Sequence, residues 1–353
     1  MARLCLSQLK TDSNNTIHDV SDLEIHTVCS LWSGMGHIYR IKLPGAGDQD
    51  QNQQIIIKHV AAPRKTKSVG DQRKANSYQV EANFYENVAQ QLIKLGLNIP
   101  MPLVVERDAG KSKSEIVIAM SYIAENGMGR STDSDEHLKA VLRWLATLHA
   151  SHWDISDHEA QELGLQRTAS YWHLDTRLEE HMAMPNKGWE GRLKLAARAI
   201  DQRLKRDTQC IIHGDAKDAN VLYQYSESEH SHDDHDVYMC DFQYCGRGAP
   251  SKDLAYFFCS SVAPDNETTA LEYYLQQLTT RLQNDAMAPT LEELQESIDL
   301  AYCDYYRFMS GWGYWGSGGD GEERVKMVLN RLDGGKTLAS ADDYVNAVQR
   351  EYG

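Results

Sequence analysis

Several things are scarce in this sequence, and each scarcity removes a class of protein. No run of residues approaches the roughly 20 apolar positions that a membrane-spanning helix needs. Internal repeats are absent, which excludes solenoids and propellers. Cysteine is sparse, with 7 in 353 residues, an odd number without a Cys-x-x-Cys pair. That spacing suits reduced thiols rather than a disulfide framework or a zinc site. Basic residues are outnumbered, 36 against 51 acidic ones, for a formal net charge of -15. Such a balance opposes nonspecific binding to nucleic acid or an anionic membrane and favours a neutral or cationic small-molecule partner. The first ten residues carry too short an apolar run for a secretory signal, so a cytoplasmic location is expected. What remains, 41% hydrophobic and 25% charged, is an ordinary globular composition with length for two lobes sharing one cleft.

The chemistry is concentrated in Cys210-Ile-Ile-His-Gly-Asp-Ala-Lys-Asp-Ala-Asn220 and in Tyr238-Met-Cys-Asp-Phe-Gln243. Asp215 and Asn220 stand five apart on one loop, and Asp241 ends a second apolar strand. A hairpin bringing the strands together converges all three. Phosphoryl transfer needs that set: a carboxylate to orient a hydroxyl, and oxygen ligands to hold magnesium against a triphosphate. Read without the second segment, His, Asp and Asn are simply common turn residues.

His-Gly-Asp, an Asn five residues after that Asp, and then Asp-Phe-Gln resemble the core of the kinase-like phosphotransferases: aminoglycoside phosphotransferases, choline kinases and, most of all, the ecdysteroid kinase-like family. The resemblance implies an α+β, bilobal protein-kinase-like fold, with a small antiparallel sheet and one main helix in residues 1–124 and a larger, mainly helical lobe in residues 125–353. It makes Asp215 the catalytic base, Asn220 and Asp241 the magnesium ligands, and ATP the donor. Lys217, two residues after Asp215, is expected to contact the phosphates. His213 and Asp253 receive supporting roles, Asp253 as acceptor of hydrogen bonds from the catalytic-loop backbone.

A nucleotide clamp is then sought upstream. Gln54-Ile-Ile-Ile-Lys-His-Val60 reads as a β-branched strand whose Lys58 points into a cleft. Val80, Phe84, Val88 and Leu92 recur at four-residue intervals and predict one helix over 76–92, with Glu81 beside the stripe. Taken singly, Lys58 also reads as an edge-strand lysine and Glu81 as a solvated carboxylate. Their order before the catalytic loop favours an ion pair that steadies the ammonium on the phosphates. Ser33, Gly34 and Gly36 form a turn that equally suits plain hairpin chemistry or a phosphate loop. Residues 63–74 are basic and read as a connector. A hairpin over 103–123 completes five strands, and Met120, Ser121, Tyr122 and Ile123 fall where kinase-like folds bind adenine by backbone groups.

In the second half, a helix opens near Asp133 with Leu138, Val141, Leu142, Leu145 and Leu148 as its buried stripe, and His149 at its end reads as a packed or capping histidine. Helices are expected at 172–182 and 189–204. The His- and Asp-rich stretch 224–236 reads as a hydrophilic hairpin tip rather than a metal site. Seven aromatic residues lie within 302–316, and Trp312, Tyr314 and Trp315 are candidates for an acceptor wall, with core packing the alternative. The acceptor is expected to be a small-molecule hydroxyl. No Ala-Pro-Glu and no long phosphorylatable segment follow Asp241, which weighs against a protein kinase; a nucleotide-binding scaffold without turnover is the third reading.

Overall fold

The computed structural model describes residues 23–42, 54–63, 68–108, 113–123, 135–224, 236–283, 286–313 and 320–353. Its first part is a five-stranded sheet in the order β1-β2-β3-β5-β4, with every neighbouring pair antiparallel. The strands are β1 (Glu24–Ser30), β2 (Gly36–Lys42), β3 (Gln54–Pro63), β4 (Pro102–Asp108) and β5 (Lys113–Ser121). The central strand β3 shows why an uninterrupted apolar run belongs there. Side chains alternate faces along a strand, so Ile55 and Ile57 join Ile41, Val104, Val117 and Ala119 in a small core on one face. Ile56, Lys58 and Val60 share the other face, which turns toward the rest of the molecule.

That other face is covered by α1 (Val69–Asn87), capped by Ser68, whose hydroxyl accepts the Asp71 amide at 3.1 Å. The helix expected over 76–92 is two: α1 ends at Val88, where the backbone leaves helical geometry, and α2 (Ala89–Lys94) restarts. It also begins earlier than expected, so Arg73 and Lys74 are helical residues and not part of a connector. Phe84, Val88 and Leu92 are buried as the spacing implied, Val80 only half so; the interface is wider, and Tyr78, Glu81 and Tyr85 lie inside it.

The helical part holds α3 (Asp135–Ser151), α4 (Asp157–Glu162), α5 (Leu178–Ala183), α6 (Gly188–Leu204), α7 (Pro250–Ser260), α8 (Glu267–Thr279), α9 (Leu291–Trp312), α10 (Asp320–Asp333) and α11 (Ala341–Tyr352). Two small antiparallel pairs interrupt it: β6 (Cys210–Ile212) with β9 (Gly246–Gly248), and β7 (Val221–Gln224) with β8 (Asp236–Met239). The helix expected at 172–182 is instead a 3-10 turn, Leu174–Thr176, followed by the short α5. The Trp172 carbonyl there accepts the Arg307 guanidinium at 2.5 Å, so it is committed to a tertiary contact instead of a helical ladder. Asp133, the N-cap expected for α3, and most of the stretch 224–236 lie outside the described residues. The two parts share one hydrophobic core, and Phe242 is its hinge pin: its ring stacks on Phe84 at 3.8 Å and meets Tyr85 and Trp144 at 5.8 and 6.3 Å. Among the described residues no helix is long and apolar enough to cross a membrane.

Candidate active site

The loop that carries Asp215 runs from β6 to β7, and its backbone is pinned from below. Asp253, in the first turn of α7, is fully buried and accepts the His213 amide at 2.7 Å and the Gly214 amide at 2.9 Å. It also meets His149 Nε2 at 3.3 Å, while His149 Nδ1 pairs with the Tyr274 hydroxyl at 2.8 Å. His149 is thus packed rather than capping. Gly214 sits at φ +76°, and a Cβ there would lie 2.1 Å from the Tyr244 carbonyl oxygen, so only glycine fits this turn. His213 Nε2 reaches the Cys240 carbonyl at 3.1 Å, and the Cys240 amide donates to the Asn220 carbonyl at 3.0 Å. These bonds tie this loop to the segment that delivers Asp241.

The sheet half supplies the opposing charge. Lys58 Nζ stands 2.6 Å from Glu81 Oε2 and 3.0 Å from Asp241 Oδ1. One ammonium therefore spans β3, α1 and the Asp-Phe-Gln segment. Burial works against its charge, but Asp241 and Glu81 together hold its pKa above the usual lysine range. Burial raises Glu81 to about 7 against the pull of Lys58. Asp241 is held below the usual carboxylate range: burial opposes its charge, and Lys58 and Gln243 outweigh it. Among the described residues it is also one of three non-glycine residues at positive φ, +68°, a conformation that persists only where the surroundings impose it. Gln243 Nε2 donates to Asp241 Oδ1 at 2.6 Å and its Oε1 accepts the Ser77 hydroxyl at 2.9 Å, a brace that the sequence did not signal beyond the replacement of a glycine.

Asp215 is buried beside Lys217, whose Nζ lies 3.1 and 3.0 Å from its two oxygens. Asn220 Nδ2 donates to the Asp215 carbonyl and to its Oδ2, at 2.9 and 3.1 Å. Burial raises the Asp215 carboxyl to about 6, with Lys217 lowering and Asp241 raising it further. The amide nitrogen of Asn220 is thus turned to Asp215.

A cavity of about 700 Å³ is lined by Lys58, Glu81, Asn220 and Asp241 and by Met120, Ser121, Tyr122 and Ile123. Leu31, Ile38, Ile56 and Leu222 add apolar walls. Gly34 and Gly36 do not line it. The amides of Gly34 and Met35 turn back to the Leu31 and Trp32 carbonyls, and Gly36 is required because a Cβ there would lie 1.9 Å from the His59 carbonyl oxygen. The side chain of Ser33, together with Tyr314 and Trp315, lies outside the described residues. Trp312 closes α9 half-exposed, its ring 4.7 Å from Phe308. Asn220 and Asp241 offer oxygen donors only, the kind magnesium takes when phosphate oxygens and water complete its shell.

This arrangement has the protein-kinase-like fold. The model of the ecdysteroid kinase-like family matches residues 178–287. That stretch carries His213, Asp215, Lys217, Asn220, Asp241 and Asp253 but not Lys58 and Glu81, whose place rests on geometry. A microcompartment-associated aminopropanol kinase is similar in structure at a TM-score of 0.53 and 14% identity, over 99% of this chain and 96% of its own. Less similar are an aminoglycoside-3'-phosphotransferase of type VIII (0.47, 16%, 81% and 94%) and the Plasmodium vivax ethanolamine kinase (0.46, 13%, 94% and 81%). No curated protein matches the sequence.

Proposed function

We propose that the chain is an ATP-dependent phosphotransferase that moves the γ-phosphoryl group to a hydroxyl of a small molecule. Residues 1–124 form the nucleotide-clamping lobe and 125–353 the catalytic and acceptor-binding lobe. The observation that carries this reading is the single ammonium of Lys58 bridging Glu81 and Asp241 in the lining of a cavity large enough for a nucleotide. A purely structural lysine needs neither the second carboxylate nor the opening.

In this reading the adenine lies against residues 120–123. The Ser121 amide is committed to the Met101 carbonyl at 2.9 Å, which leaves recognition to its carbonyl and to Tyr122 and Ile123. Lys58 steadies the donor phosphates. Asp241 and Asn220 hold magnesium, which neutralises charge on the triphosphate when bound. Asp215 orients the acceptor hydroxyl and takes its proton. The hydroxyl oxygen bonds to the γ-phosphorus as the bond to the β,γ-bridging oxygen breaks, and ADP departs with that electron pair. Lys217 faces the charge that passes between them. Positioning and electrostatics supply most of the rate. Acceptors of the kinds named for the structural neighbours, amino alcohols and aminoglycosides, fall within this class, as do sterol-like alcohols and sugars. Nothing observed favours a protein kinase.

Asp215→Asn tests the assignment. Transfer to a responsive alcohol is expected to fall by about 10²- to 10⁴-fold, the range for loss of a general base, with ADP affinity by calorimetry unchanged. Full activity in this variant removes the base; binding of ATP without turnover on any alcohol by the unmodified chain returns the scaffold reading.

A further inference from the structure

A second cavity, of about 660 Å³, shares no lining residue with the first. Its wall is fastened to the catalytic loop: the Tyr171 amide donates to the Gly214 carbonyl at 3.3 Å and the Ser170 amide to the Tyr244 carbonyl at 3.2 Å. Tyr171 and Tyr244 both line it, and the Asp215 carboxylate contributes to the raised pKa of each phenol. The cavity therefore lies next to the residue that would receive the acceptor.

Its charge is unusual for a chain of net charge -15. Two pairs of guanidiniums line it, and each pair shares one carboxylate. Arg177 and Arg73 stand 3.1 and 3.8 Å from the same Glu180 oxygen. Arg167 and Arg247 stand 2.7 and 3.2 Å from Asp157. Lys205 is the exception, held between Asp201 at 2.7 Å and Asp175 at 3.4 Å. Burial, and then the neighbouring charge of Arg73, lower the Arg177 pKa. Three residues of the lining carry a buried polar atom with no hydrogen-bond partner: Arg73 Nε, Ser170 Oγ and His173 Nδ1. Ser170 is 1% exposed and held at φ +84°. Buried groups of this kind are rarely left unsatisfied without a reason.

Arg177 also decides what the aromatic wall can hold. Its guanidinium carbon lies 5.2 Å from the Phe308 ring, 5.6 Å from Trp312 and 5.7 Å from Tyr171. The ring faces that would attract a cationic acceptor are already turned on a cation of the protein's own, and a second cation there would meet repulsion.

We propose that this second cavity receives a carboxylate or phosphate group carried by the acceptor, so that the substrate is an acidic alcohol and not an amino alcohol. The inference rests on the phosphotransferase reading and names the acceptor class that reading leaves open. The anion lies between Arg73 and Arg177, the Ser170 hydroxyl donates to it, and the alcohol end reaches Asp215.

Inorganic phosphate titrated calorimetrically into the full chain tests the cavity independently of turnover. Phosphate is expected to bind, to bind at least tenfold more weakly to Arg73→Gln, and to bind equally to Lys58→Met. Absence of binding, or loss in Lys58→Met with retention in Arg73→Gln, overturns the proposal, the latter by moving the anion to the nucleotide cavity. Ser170→Ala, which removes another donor to the anion, replaces Arg73→Gln if thermal unfolding finds the first variant misfolded. In the transfer assay, hydroxy acids and phosphorylated alcohols are compared with amino alcohols of equal carbon number. Phosphorylation of the acidic set, with Arg73→Gln raising KM for the acceptor and not for ATP, supports the assignment. Turnover confined to amino alcohols, or a raised KM for ATP alone, overturns it and leaves the phosphotransferase reading intact.

Discussion

Lys58 with Glu81 and Asp241, and Lys252 with Asp304 and Arg307, are buried clusters of nearly the same side chains, yet their charge and exposure differ. In the first, one cation serves two carboxylates, and the Asp241 side chain is 35% exposed toward the cavity. In the second, two cations serve one carboxylate: Lys252 Nζ at 2.9 Å and Arg307 Nη2 at 2.9 Å, with the Asp304 side chain only 1% exposed. The surplus in the second is a guanidinium anchored to the Trp172 carbonyl, with no route to solvent. The surplus in the first is negative and faces an opening. Burial raises Glu81 to about 7 against the pull of Lys58, whereas Lys252 and then Arg307 hold Asp304 well below the usual carboxylate range despite burial. An ion cluster closed on itself is architecture; one with an unmatched acid beside a cavity fits the cation that the proposed function requires.

The sharpest way to break that distinction is to damage both clusters. Asp304→Asn leaves two cations buried without an acid and is expected to cost about 3–5 kcal/mol in denaturant unfolding, with ADP affinity unchanged in the folded fraction. The sign with pH follows from linkage. A depressed carboxylate contributes in full above the unfolded aspartate value of about 4 and loses that contribution as pH falls toward its folded value. The unmodified chain should therefore lose stability steeply below about pH 4, and the variant less steeply over the same range. Lys58→Met is the converse. Removing a preorganised cation from a phosphate site is expected to lower kcat/KM for ATP by about 10²- to 10³-fold, with a small change in Tm because Glu81 can take up a proton. Equal unfolding of the two variants makes both clusters structural; unaltered kinetics in Lys58→Met empties the site of its clamp.

How legible these clusters were depended on chain distance. Asp215, Lys217 and Asn220 lie within one loop, and the spacing of the motif is itself the geometry. The β3 strand could be read because β-branched residues in an apolar run suit a pleated surface buried on both sides, and a lysine interrupting such a run needs an acid or an opening to face. Glu81 was found, but as a residue beside the stripe; Tyr78 and Tyr85 flank it in an interface wider than a four-residue interval describes. The Lys252–Asp304–Arg307 cluster and the cage around Arg177 went unseen because their members come from segments 52 and more than 130 residues apart, each ordinary in its own neighbourhood. The 172–182 segment misled for the same reason: its helical pattern is overruled by Arg307, a partner far along the chain.

Gln243 lies between the two extremes, since it touches Asp241 but takes no part in the ion pair, and its loss gives the smallest of these effects. Its amide holds Asp241 Oδ1 at 2.6 Å and receives the Ser77 hydroxyl at 2.9 Å, so it fixes a carboxylate at positive φ to the helix that carries Glu81. Partners that orient a metal ligand typically matter about 10- to 100-fold in metal affinity. Gln243→Ala is expected at the low end, with a roughly tenfold rise in the magnesium concentration that half-activates transfer and little change in KM for the acceptor. Ser77→Ala removes only the outer, neutral hydrogen bond and should shift the same midpoint in the same direction by less. An unchanged magnesium midpoint in both variants would separate Asp241 from metal binding and return it to the company of Asp304.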